Sequence, residues 1–364
     1  MESTKKNRFS NWIFNSFSVT AEGLALYRIF AALFLLLFLL PATQIYSFLG
    51  TLPADFFNPP PGPMGLFQEF PSEMVFFAMH YLLITSLISL LVGFKTKFSS
   101  IVAGVLFLSL KGFFYSVGKI NHDLLIAVVP LVMAFSGWGK SLSVDSLMKS
   151  KSHTVREVQN WPLVLLALML GFMMFTAGFP KILGGWLDVG TQATYGHYFK
   201  QFFLNGRQDL LASHALAIEN KIAWELLDYG TVVFETGFLL AIMHPKSTRV
   251  FVCIAVIFHF STMVLLNIAF LPNFLAYAAF LNWTSIHQKT EQIFSSERSA
   301  PVVSIFLFFG VILAIVFIAN HIGVPDLNSD LRTSEFYLLL TALSIALYYL
   351  GSQIYQSSKG LIED

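Results

Sequence analysis

Long apolar runs alternate with short polar breaks along the whole chain, at 24–40, 75–92, 98–117, 123–136, 162–179, 224–243, 249–267, 269–283, 302–320 and 336–352. Crossing about 30 Å of hydrocarbon takes roughly 20 consecutive apolar residues as a helix. The pattern therefore predicts an all-α fold, a polytopic transmembrane helical bundle of about 8–10 spans, the spread coming from the short runs 123–136 and 269–283. Those two read as tilted, re-entrant or packed inside the bundle.

The polar breaks carry an orientation signal, because basic residues concentrate in cytoplasmic loops. With the N-terminus inside, the inner segments hold fourteen of the 22 basic residues, among them Lys5, Lys6, Arg8, Lys95, Lys97, Lys149, Lys246 and Arg249. The long outer loop 41–74 holds none. Both termini are then cytoplasmic. The expected organisation is a cytoplasmic segment 1–23, a transmembrane domain 24–283, a cytoplasmic linker 284–300, and two further helices with a tail at 301–364. Segment 180–223 mixes aromatics with Asp188, His197 and Lys200 and reads as a structured cap or an interfacial helix.

Composition narrows the class. The 364 residues are 55% hydrophobic and 12% charged with a mean hydropathy of +0.68, whereas about a quarter of an average soluble domain is charged. This predicts an integral, multi-pass membrane protein with the lipid bilayer as its partner. A net charge of +1 and the lack of any long like-charge run give no field for nucleic acid. The single cysteine, Cys253, permits no intrachain disulfide and no CxxC motif. Nine histidines occur without an HExxH or His-x-His spacing, so no metal is expected. There is likewise no GxSxG, P-loop or GxGxxG in a strand-to-helix setting.

The remaining chemistry lies in polar residues within the apolar runs. Lys181 follows Pro180 at the end of run 162–179, in FTAGFPKILGGW. A lysine there can snorkel to the headgroups, or line a cavity where Pro180 and the glycines 178, 184 and 185 break the helix. Asn121 and Asp123 suit a helix cap, which leaves His122 without a role. His259 and Glu235 fall inside spans, where each needs a partner, and both a structural and a functional part are open to them. Lys111 and Arg28 read as structural pairing residues.

Most of these residues, Lys181, His122 and His259 among them, lie in blocks that resemble the HTTM family, the horizontally transferred transmembrane domain shared with vitamin K-dependent gamma-carboxylases. The blocks are LALYRIFAALFLLL at 24–37, LLVGFKTKFSSIVAGVLFLSL at 90–110, INHDLL at 120–125, SVD at 143–145, TAGFPKILGGWLDVGTQA at 176–193 and FHFSTMVLLNIAFLPNFLAYAAFLNW at 258–283. By this resemblance Lys181 is a base toward a reduced isoprenoid quinone of the vitamin K hydroquinone type, with His122 and His259 implicated beside it. Dioxygen would add, and the alkoxide formed would be strong enough to take a proton from an unactivated carbon, with CO2 as co-substrate. Such chemistry needs a dry pocket, for which Phe175, Phe179, Trp186 and Tyr195 are the candidate lining. Three functions follow: a quinol-dependent oxygenase or carboxylase-like enzyme, a non-catalytic membrane subunit for maturation or export of a small secreted peptide, and a lipid or quinone binder. The expected location is a bacterial inner membrane.

Overall fold

The computed structural model describes residues 7–118, 123–149, 157–294 and 327–363. Among these the helices run α1 Arg8–Asn15, α2 Ala21–Phe38, α3 Thr43–Leu49, α4 Glu73–Val92, α5 Thr96–Tyr115, α6 Leu125–Met133, α7 Val144–Met148 and α8 Trp161–Leu183. They continue as α9 Ala193–Phe203, α10 Ala212–Leu216, α11 Lys221–Ala241, α12 Pro245–Leu266, α13 Leu271–Ala278, α14 Trp283–Phe294 and α15 Leu327–Glu363. The described residues contain no strand, so the chain is all-α and polytopic.

Among the described residues six helices are long and apolar enough to cross a membrane: α2, α4, α5, α8, α12 and Glu335–Ser358 of α15. At 21 residues α11 is as long, but it carries Lys221, Glu225, Asp228 and Glu235. The two shortest runs form helices of nine and eight residues, α6 and α13, each too short to cross alone. Run 302–320 lies outside the described residues.

The chain divides into two compact units. The first comprises Met1–Leu166 and Leu271–Pro325, the second Ala167–Phe270 and Asp326–Asp364. In the first unit α2 packs on α4 and α14, and α5 packs on α4 and α6. Its centre is polar as well as aromatic. Arg28 is fully buried and donates to the carbonyls of Trp138 at 3.1 Å, Ser141 at 3.4 Å and Leu142 at 2.6 Å. A buried cation needs such acceptors, and here loop carbonyls supply them. Beside it the Tyr27 hydroxyl donates to the Leu275 carbonyl at 2.9 Å, tying α2 to α13.

In the second unit α12 packs on α11 and α15, and α9 packs on α11. Segment 180–223 is structured, with α9 and α10 as its helices. Buried Asp228 accepts the N–H groups of Ala193 and Thr194, both at 2.7 Å, so α11 supplies the acceptors that the first turn of α9 lacks. The Tyr198 hydroxyl donates to the Ala212 carbonyl at 3.0 Å and joins α9 to α10. Burial pushes that phenol up to about 12. Outward side chains such as Phe172, Val233 and Leu240 are large, apolar and exposed. Their surface suits acyl chains, not water.

Candidate functional site

Lys181 owes its position to how α8 ends. Pro180 removes one backbone donor, yet it falls within the last turn and the helix continues through it to Leu183. The ammonium therefore sits at the carbonyl end of the helix, where the dipole favours a cation. Gly185 then takes a φ of +77°, which a side-chain-bearing residue adopts at a cost. This closes a left-handed cap in which the Trp186 N–H donates to the Lys181 carbonyl at 3.1 Å and the Gly185 N–H to the Ile182 carbonyl at 3.3 Å. The same turn folds the indole back, with the Lys181 nitrogen 5.1 Å from the centre of the Trp186 ring. The sequence GGW thus carries the geometry that places an aromatic face on the lysine.

The anionic partner comes from α11. Lys181 Nζ donates to both carboxylate oxygens of Glu235. The Glu235 side chain is only 7% exposed and that of Lys181 23%, so the carboxylate is the buried member and the amine the accessible one. Close backbone approach makes the pairing reachable. A Cβ on Gly178 would lie 2.7 Å from the Glu235 Cβ and 3.0 Å from the Thr236 methyl. One heptad earlier, a Cβ on Gly171 would lie 3.0 Å from a methyl of Ile242. The two glycines form a small-residue stripe on which α11 runs antiparallel, the arrangement that lets helices approach in lipid.

His259 is 4% exposed on α12, with its ring 5.4 Å from Phe258 and 4.5 Å from Phe270. His122 lies outside the described residues. Of the four expected lining aromatics, Trp186 lies over the amine. Phe175 and Phe179 stack on each other, with centroids 5.5 Å apart. At about 100° per residue they project from a different face of α8 than Lys181. Tyr195 packs on Trp224 at 5.1 Å, at the start of α9.

Sequence reasoning noted Glu235 only as an intramembrane carboxylate in need of a cation. Nothing in the sequence named Lys181 as that cation, since 54 residues separate them. The structural pairing read for Lys111 has partners that the sequence did not name. In the first unit Lys111 Nζ lies 2.6 Å from Asp123 Oδ2, and the Tyr115 hydroxyl donates to the other carboxylate oxygen. Asp123, which the sequence offered as a helix cap, is thus the anchor of a lysine and a phenol. The spacing of Lys111 and Tyr115, four apart on one face of α5, was the available signal.

A family model described as the HTTM domain matches residues 18–284. No curated protein and no solved structure matches the chain.

Proposed function

The chain belongs to the HTTM-domain family and is an integral membrane protein, and from that premise we propose that Lys181 and Glu235 form an acid–base centre acting on a lipid-soluble, weakly acidic substrate, a reduced isoprenoid quinone. One observation carries the reading: a nearly buried carboxylate held on both oxygens by an accessible lysine. The pair is neutral as a whole, so it can sit in a low-dielectric setting and still take up a proton. Lys181 takes the phenolic proton at its accessible nitrogen as one of its own protons passes to Glu235, which becomes a neutral carboxyl, and the ammonium keeps its charge against the oxygen that has lost the proton. Trp186 covers the ammonium and limits its hydration.

The residues fit such a ligand. The amine end is accessible, and the Trp186 ring beside it offers an apolar face that a membrane-dissolved molecule can meet. A reduced quinone bound there would supply, with dioxygen, the oxidation that drives proton removal from carbon in the carboxylases this family resembles. His259, buried against Phe270, is read as a wall of the same unit.

The test uses the full chain in lipid nanodiscs with vitamin K hydroquinone and dioxygen. Formation of quinone epoxide, lost in Lys181→Ala and in Glu235→Gln, is the expected result. No turnover by the wild-type chain would remove the enzyme reading. The Gly171 and Gly178 stripe favours a second role, in which the pair joins α8 to α11 in a non-catalytic subunit serving a small secreted peptide. Stoichiometric co-purification of such a peptide with a turnover-silent protein would favour it.

A further inference from the structure

The first unit carries a polar site that the acid–base centre does not use. The chain turns from α4 into α5 within three residues, and Lys95 takes a φ of 43° there. The SVD segment, residues 143–145, folds against this turn. Asp145 accepts the N–H groups of Lys95 and Thr96, each at 2.8 Å, and the Thr96 hydroxyl at 2.7 Å. Burial pushes the Asp145 carboxyl up, but the hydrogen bonds from Thr96 and Lys95 and the charge of Lys149 outweigh it and hold the group below its ordinary value.

The fold-back gathers three lysines from two segments. Lys95, Lys97 and Lys149 line an open cavity of about 480 Å³ together with Thr96, Phe98 and Asp145. Three lysines thus line a space that holds one carboxylate, whose oxygens are already engaged by backbone and hydroxyl donors. Among the described residues none of the three lysines is within ion-pair distance of a carboxylate. All three are exposed.

Two further features place this cavity at a membrane surface. It lies where α4 ends and α5 begins, both of them helices able to cross the bilayer. Beside the lysines, Phe98, Leu147 and Met148 expose most of their apolar surface. Exposed apolar side chains alternating with ammonium groups match the boundary between headgroups and acyl chains.

We infer that the Lys95, Lys97 and Lys149 cavity binds the phosphate of an anionic phospholipid headgroup. The lysines supply charge, and Phe98, Leu147 and Met148 enter the acyl region beside the bound lipid. The basic pattern of the sequence puts this side of the protein toward the cytosol, where anionic lipid attracts such clusters.

The experiment measures lipids retained by the full chain after extraction from nanodiscs of mixed phosphatidylglycerol and phosphatidylcholine, counted by native mass spectrometry. The wild-type chain retains phosphatidylglycerol in preference, and Lys97→Gln with Lys149→Gln lowers that preference roughly twenty-five-fold, at about fivefold per lysine. Lys246→Gln, at another inner loop, leaves it unchanged. Raising the ionic strength weakens retention without any substitution. Equal retention by the double variant and the wild-type chain overturns the proposal. Stabilisation by inorganic phosphate in the absence of any lipid preference overturns the lipid assignment in favour of a soluble phosphate compound.

Discussion

Among the described residues each unit holds a lysine–carboxylate pair at the end of an apolar helix, and the two are built in opposite ways. Lys111 and Asp123 are close in sequence and nearly equally exposed, at 21% and 18%, and the Tyr115 hydroxyl shares the carboxylate. Lys181 and Glu235 belong to separate helices, and only the carboxylate is buried. The first pair is held by a short connection and keeps a second donor if the lysine is lost. The second depends on two helices touching at Gly178, and loss of the lysine strands an anion in a low-dielectric site. A pair that costs more to break and exposes only its amine is the better placed to handle a proton.

The largest expected effect is therefore on the second pair. Lys181→Met lowers unfolding free energy in detergent by about 3 kcal/mol. Gly178→Ala ranks next, at about 2 kcal/mol, because the added methyl meets the Glu235 Cβ and Thr236 and pushes α11 away. It should also diminish quinol turnover without altering any ionisable group. Lys111→Met is the smallest, at about 1 kcal/mol, since Asp123 retains the Tyr115 hydroxyl and some solvent. Thermal or denaturant unfolding of the three variants in one detergent gives the order directly. A loss for Lys111→Met equal to that for Lys181→Met would erase the contrast between the units.

Much of the fold was legible as period and length. Run 98–117 became α5 at Thr96–Tyr115, and run 75–92 became α4 at Glu73–Val92, because apolar continuity is what a spanning helix requires. Run 162–179 fell short at its far end. Pro180 reads as a breaker, but in a last turn few backbone bonds remain to be lost, so α8 reaches Leu183 and carries Lys181 with it. The site was legible only in halves. Lys181 and Glu235 each stood out as charges in apolar surroundings, while their partnership arises from the approach of α8 and α11 at Gly178, a tertiary fact with no local signature. Phe175 and Phe179 were chosen for proximity in sequence to Lys181, and the helix turns them to another face. Arg28 read as a structural pairing residue, but the sequence did not name the loop carbonyls of Trp138, Ser141 and Leu142 that accept from it.

The most direct measurement is a double-mutant cycle of unfolding free energy on Lys181→Met and Glu235→Gln in the purified full chain. Direct pairing predicts a coupling of at least about 1.5 kcal/mol, with the double variant more stable than the sum of the single losses implies. Additive losses would contradict it and leave Lys181 as a surface cation without a buried partner.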